Sequence, residues 1–163
     1  AFLAGSYPFT KRFFPMPQAY LGIAFGFSIP MAFVAVQGSV PLHAWLVFVA
    51  NVFWTVAYDT EYALVDKPDD LKLNIKTAAI TLGRYDVVGI VVCYAVSLSI
   101  WAWVATSLAF GPAFWLGWVC AVGIAAYHFM LIRNRDRALC FKAFLHNNWL
   151  GAALFAGLVL QYL

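Results

Sequence analysis

Apolar positions dominate the chain in five long, nearly unbroken runs. They extend from Pro17 to Val36, Pro41 to Tyr58, Val87 to Phe110, Ala113 to Ile132, and Trp149 (or a few residues earlier) to Leu163. Each is near the length at which a helix crosses about 30 Å of hydrocarbon. Only helices and closed barrels satisfy every backbone group in lipid. Barrel strands alternate polar and apolar over about ten residues, whereas these runs are continuous and longer. The pattern therefore predicts an all-α membrane protein, a polytopic transmembrane helix bundle of five full spans. Residues 1–5 read as the end of a preceding helix, and with no starting Met the chain reads as a fragment of a longer protein.

The polar residues between the runs are sorted by side. All ten Lys and Arg lie in three connections: Lys11 and Arg12; Lys67, Lys72, Lys76 and Arg84; Arg133, Arg135, Arg137 and Lys142. The connections at Gln37–Pro41 and Gly111–Pro112 carry none. The positive-inside rule then places the three charged loops in the cytoplasm and the C-terminus outside. Gly, Ser and Pro in the two bare connections suit tight hairpin turns.

Composition supports the membrane reading. Of 163 residues, 64% are hydrophobic and 10% charged. A soluble domain is about 45–50% apolar and about 25% charged, so too little polar surface exists to cover a water-soluble core. Disorder is excluded on the same grounds. Cys93, Cys120 and Cys140 form no CxxC pair and read as small apolar side chains.

One connection is chemically dense. Asp59, Glu61, Asp66, Asp69 and Asp70 place five carboxylates within twelve residues, directly after an apolar span. Asp59, Asp66 and Asp70 fall within about 40° of one another on a helical wheel. Like charges on one face repel unless a cation lies between them, and clustered carboxylate oxygens favour a hard ion such as Mg²⁺. Pro68 disfavours helical geometry at Lys67, so the helix carrying Asp59 is expected to end near Asp66, with another segment starting around Pro68. Asp59, at the end of an apolar run, sits at membrane depth, where an ionisable group signals function. Lys67, Lys72 and Lys76 follow, and Lys11 and Arg12 share the face. Such donors would neutralise a diphosphate leaving group. For Arg84, Arg133 and Arg135, the topology rule is explanation enough. His43, His128 and His146 form no cluster in sequence and read as core or boundary histidines.

The stretch YDTEYALVDKPDDLKLNIKT (58–77) resembles the second aspartate-rich motif of UbiA-type intramembrane aromatic prenyltransferases, most closely the 4-hydroxybenzoate polyprenyltransferase branch. Tyr7 to Lys11 fits that family's YxxxK element, and KRFFPMPQAYLG, SIPMAF and RALCFKAFLHNNWLG extend the resemblance over the whole chain. It implies a nine-helix fold, with residues 1–163 as the C-terminal part of a single domain. The first aspartate-rich motif would belong to a missing N-terminal half, so this part alone would carry half a site and be inactive. Pro68 stands where the pattern carries a charged residue.

The resemblance further implies transfer of a polyprenyl group from polyprenyl diphosphate to the ring of 4-hydroxybenzoate, in ubiquinone biosynthesis, with Mg²⁺ as cofactor. Asp66 and Asp70 would form the metal-binding DxxxD pair. Asp59 would serve the metal or orient the phenol, and Asp69 would support the pair. Tyr7, Lys11 and Lys72 would contact diphosphate oxygens, with Lys67 and Arg137 as weaker candidates. Trp54, Phe53 and Phe141 are candidates to line the path of the prenyl tail. Asn147 and Asn148 read either as substrate contacts or as a helix start. The partners would be these substrates and membrane lipid, with no nucleic acid. The place would be the bacterial inner membrane, or the mitochondrial inner membrane in a eukaryote. Two alternatives remain at this point: an ion-pathway or transporter segment, which calls for polar residues across the bilayer, and a prenyltransferase acting on another aromatic acceptor.

Overall fold

The computed structural model describes residues 2–163. Helices succeed one another as α1 (Phe2–Thr10), α2 (Pro17–Gly26), α3 (Ser28–Gln37), α4 (Leu42–Lys72), α5 (Ala78–Thr81), α6 (Asp86–Ser107), α7 (Pro112–Ile132) and α8 (Arg137–Leu160). A short 3-10 turn, Gly83–Tyr85, leads into α6. The expected end of a preceding helix is α1, which runs on to Thr10; Ala1 lies outside the described residues.

Local chemistry explains the boundaries. Pro17 and Pro112 open α2 and α7, where a missing N–H costs nothing. Gly38, at φ 74°, ends α3 in the left-handed conformation that glycine adopts without a steric penalty. Asp136 caps α8 by accepting a hydrogen bond from the Leu139 N–H at 2.9 Å. That cap moves the start of the last helix to Arg137, well before Trp149. Asn147 and Asn148 therefore lie in mid-helix, and the helix-start reading of them is corrected.

Four stretches are long and apolar enough to cross a membrane: Pro17–Gln37, Gly83–Ser107, Pro112–Ile132 and Arg137–Leu160. The first combines α2 and α3. The remaining expected span is the first part of α4, which at 31 residues is the longest helix. Its length suffices, while His43, Asn51 and Asp59 dilute its apolar character.

The expected break in α4 at Pro68 does not occur, because the helix continues through it to Lys72. Proline removes one N–H, leaving the Leu64 carbonyl without its helical donor. Neighbouring side chains hold the turn: Lys67 binds the Gly83 carbonyl and Asp86, and Asp69 binds Arg137.

Helix α4 is the centre of the bundle and packs on α2, α6 and α8, while α7 packs on α8. Small residues permit these close approaches. Ala44, Ala50, Ala57 and Ala63 are buried along α4. A side-chain carbon at Gly157 would lie 3.0 Å from the Ala113 carbonyl oxygen, and one at Gly117 would meet the Ala153 carbonyl oxygen.

The three charged connections meet at one end. Lys76 donates its backbone N–H to the Lys11 carbonyl at 2.9 Å, and its ammonium reaches the Phe13 carbonyl. The Ala78 N–H binds Gln18 Oε1 at 2.9 Å, and the Thr81 hydroxyl binds the Pro15 carbonyl. Arg135 and Arg137, beyond α7, reach Asp86 and Asp69. At the opposite end, the Gly111 N–H binds Gln161 Oε1.

Candidate functional site

Because α4 is continuous, its carboxylates have fixed relations. Asp59, Asp66 and Asp70 share one face, as the spacing predicts, but Asp59 and Asp70 are about 16 Å apart along the axis at 1.5 Å per residue. One ion cannot bridge that distance. Among the described residues, no group of three or more His, Cys, Asp or Glu side chains is placed to hold a metal. Asp66 and Asp70, one helical turn apart, are the pair able to share an ion. Neither takes part in an ion pair among the described residues. Burial and the neighbouring Asp66 charge push the Asp70 carboxyl above its ordinary range, against the lowering effect of Lys11. Two oxygen-donor groups of like charge, without a direct ion-pair partner among the described residues, fit a hard divalent cation.

Lys11 completes the electrostatics of this face. Its charge acts on both Asp59 and Asp70, and its ammonium lies 5.9 Å from the centre of the Tyr7 ring. The Asp59 charge in turn reaches Tyr7. The structure thus brings together Tyr7 of α1, Lys11 just beyond its end, and Asp59 of α4.

The remaining cations are more committed than the sequence suggested. Lys72 and Arg137 both bind Asp69, at 3.1 and 3.0 Å, and hold its carboxyl below the usual range. Both are exposed and able to turn toward an anion. Lys67 is not, and its candidacy as a diphosphate contact is corrected. Its ammonium donates to Asp86 Oδ2 at 2.6 Å and to the Gly83 carbonyl at 3.0 Å. Arg135, read from sequence as topology alone, donates to Asp86 Oδ1 through Nε at 2.9 Å and through its terminal nitrogen at 2.6 Å. Asp86 is fully buried and ties α4, α6 and the α7–α8 connection together.

Glu61 departs from its neighbours. Two residues after Asp59, it points to the other side of α4 and is fully buried. Its Oε1 accepts from the Tyr94 hydroxyl at 3.1 Å and lies 3.3 Å from His128 Nδ1. Its Oε2 has no hydrogen-bond partner among the described residues. His128 Nε2 lies 3.2 Å from His146 Nδ1, so two histidines eighteen residues apart in sequence meet in the fold. The Tyr94 hydroxyl is also 3.2 Å from Asn147 Oδ1, which accepts from Trp54 Nε1 at 2.9 Å. This network joins α4, α6, α7 and α8 within the apolar part of the bundle. Sequence reading missed it because its members are isolated on four separate helices. The one available signal was an ionisable residue, His128, inside an apolar run.

Two cavities adjoin the network. One, of about 240 Å³, is lined by Trp54, Tyr58, Phe144, Leu145, Asn147 and Asn148. The other, of about 370 Å³, shares Trp54 and Asn148 and is walled by apolar residues such as Val47, Trp101 and Leu158. Trp54 thus lines both, while Phe53 and Phe141 line neither.

Residues 1–155 match the UbiA prenyltransferase family. A 4-hydroxybenzoate octaprenyltransferase of Burkholderia vietnamiensis is 64% identical over 162 residues, covering 99% of this chain and 56% of the relative. One from Paraburkholderia phytofirmans is 63% identical over 161 residues, with the same coverage. The chain therefore spans about half the length of the curated relatives it matches. The apo structure of a UbiA homolog from Aeropyrum pernix K1 shares the fold, with a TM-score of 0.84 at 19% identity, over 99% of this chain and 61% of that one.

Proposed function

The chain belongs to the UbiA prenyltransferase family, and from that premise we propose that it is part of a single-domain enzyme that transfers a polyprenyl group from polyprenyl diphosphate to the ring of 4-hydroxybenzoate, in ubiquinone biosynthesis. The observation that carries the reading is the unpaired Asp66–Asp70 couple beside Lys11, on a helix that also walls two cavities suited to a ring and an apolar tail. The names of the relatives in Burkholderia vietnamiensis and Paraburkholderia phytofirmans support the choice of acceptor.

The reaction breaks the bond between the first prenyl carbon and its diphosphate oxygen. It forms a carbon–carbon bond ortho to the phenol hydroxyl and releases the ring proton. Asp66 and Asp70 would hold Mg²⁺ on the diphosphate. A bound Mg²⁺ supplies charge neutralisation to the departing diphosphate. Tyr7, Lys11 and Lys72 donate hydrogen bonds to diphosphate oxygens, where negative charge grows as the bond breaks. Asp59, too distant along the helix to share an ion with Asp66 and Asp70, orients the phenol from the side of Tyr7. The apolar walls around Trp54 and Trp101 take the isoprenoid tail and keep water from the allylic cation. The enzyme would lie in the bacterial inner membrane with its charged connections in the cytoplasm.

The test uses membranes carrying the full-length protein, labelled 4-hydroxybenzoate and a polyprenyl diphosphate, with Mg²⁺ and then with EDTA. A lipid-extractable product that requires Mg²⁺ is expected. Product only with other phenolic acids would replace the acceptor, and none with any phenol would return weight to an ion-pathway role.

A further inference from the structure

We propose that Asn147 seats the aromatic acceptor by donating its side-chain N–H to an oxygen of that ring, and that the buried Glu61, Tyr94 and His128 cluster holds its amide in the donating orientation. The inference deepens the prenyltransferase reading and rests on it.

Asn147 lies in the middle of α8 and is 5% exposed. Its orientation is decided by chemistry. The indole N–H of Trp54 is a donor only, so the atom it meets at 2.9 Å is the amide oxygen and not the nitrogen. Tyr94 approaches the same oxygen at 3.2 Å. A hydroxyl carries one proton, yet the Tyr94 oxygen also neighbours Glu61 Oε1 at 3.1 Å. His128 Nδ1, 3.3 Å from Glu61 Oε1, can serve that carboxyl instead and free the tyrosine proton for Asn147. With its oxygen engaged, Asn147 has both amide protons left over. Among the described residues, Glu61 Oε2 is the side-chain atom sealed without a partner. The Asn147 nitrogen has no hydrogen-bond partner among the described residues, and the residue lines the smaller cavity.

The shape of that cavity names the class of ligand. Its volume is about 240 Å³, while an apolar cavity of about 150 Å³ accommodates benzene. A benzene ring with two small substituents fits the difference. Tyr58 meets Trp54 edge to face at 5.7 Å and Phe144 at 6.3 Å, giving aromatic walls. Among the described residues its polar lining is the amides of Asn147 and Asn148 and the Tyr58 hydroxyl, which are neutral groups. Trp54 and Asn148 also line the apolar cavity of about 370 Å³. A ring and an isoprenoid chain would thus lie in contact.

The test measures kinetics and binding in the full-length protein. Asn147→Asp keeps an oxygen for Trp54 and Tyr94, removes the donating N–H and adds a carboxyl. The neutral Asn147→Ser variant below therefore separates loss of the donor from charge repulsion. The Michaelis constant for 4-hydroxybenzoate should rise at least tenfold, in keeping with a hydrogen bond to a charged oxygen. That for polyprenyl diphosphate should stay within twofold. Tyr94→Phe should raise the acceptor constant by a few fold. An unchanged acceptor constant in Asn147→Asp, or equal rises for both substrates, overturns the proposal. A second arm measures equilibrium binding of labelled 4-hydroxybenzoate to detergent-solubilised wild type and Asn147→Ser, independently of turnover. Tenfold weaker binding supports the role; equal binding, or none to wild type, refutes it. Absence of transfer by wild type that still binds the acceptor would instead overturn the prenyltransferase reading.

Discussion

Replacing Asp86 by alanine tests whether one buried carboxylate organises the charged end of the bundle. Asp86 has no exposure and accepts from Lys67 and Arg135 at 2.6 Å each, with a further bond from Arg135 Nε at 2.9 Å. Removing it strands two cations. Breaking a buried ion pair costs about 3–5 kcal/mol. The Lys67 side chain is 22% exposed and that of Arg135 42%, so both retain some access to water, and surface pairs are worth little. The cost therefore falls at the low end, about 3 kcal/mol. For a chain of this size, about 2–4 °C per kcal/mol gives a fall in Tm of about 6–12 °C. Cys140, fully buried, supplies the assay in a Cys93→Ala, Cys120→Ala background, since Cys120 is exposed and Cys93 half-buried. Its reaction with a thiol dye during heating in detergent reports unfolding. Adding Lys67→Met to Asp86→Ala should recover part of the loss, because one stranded charge is gone. A Tm for Asp86→Ala within 2 °C of wild type would refute the reasoning.

Three further outcomes are expected. In the full-length protein, Asp66→Asn or Asp70→Asn abolishes Mg²⁺-dependent transfer, while Lys76→Gln has a smaller effect; wild-type turnover in both Asp variants would sink the metal assignment. Because the Asp70 carboxyl is raised, its charged form is lost earlier as pH falls than that of an ordinary aspartate. The Mg²⁺ concentration for half-maximal activity should accordingly climb as pH falls toward the carboxylate range, and a flat profile counts against Asp70 as a ligand. Gly117→Leu forces α7 from α8 and should cost about 1–3 kcal/mol in thermal unfolding. Gly123→Ala, with nothing within 4 Å of the new carbon, should leave stability unchanged or slightly raised, and the reverse order would contradict the packing.

Legibility in the sequence followed the kind of interaction involved. Helices and their sidedness were readable because a bilayer imposes length and charge bias on every segment separately. The common face of Asp59, Asp66 and Asp70 was readable because one helix carries it. Pro68 misled, since the preference of an isolated dipeptide was outweighed by side-chain bonds from Lys67 and Asp69 to distant segments. The start of α8 was misplaced because Arg137, Lys142 and His146 hid a helix that begins at the Asp136 cap. The network of Glu61, Tyr94, His128 and Asn147 had no local signature. Each member is ordinary in its own segment, and only the packing of four helices brings them within 3.3 Å.

The backbone tie between Lys76 and Lys11, with its companions at Gln18 and Pro15, bears on how the charged end would respond to an arriving anion. The segment that presents Lys11 and the segment that follows Asp70 are joined by four hydrogen bonds, so they are displaced as one body. The backbone that carries Lys11 then keeps its position relative to the segment after Asp70 whether or not the site is filled. A donor held in advance spends no free energy on reorganisation when charge develops before it. Stiffness between these two connectors, more than the number of cations they carry, would set how strongly that end of the molecule stabilises a growing negative charge.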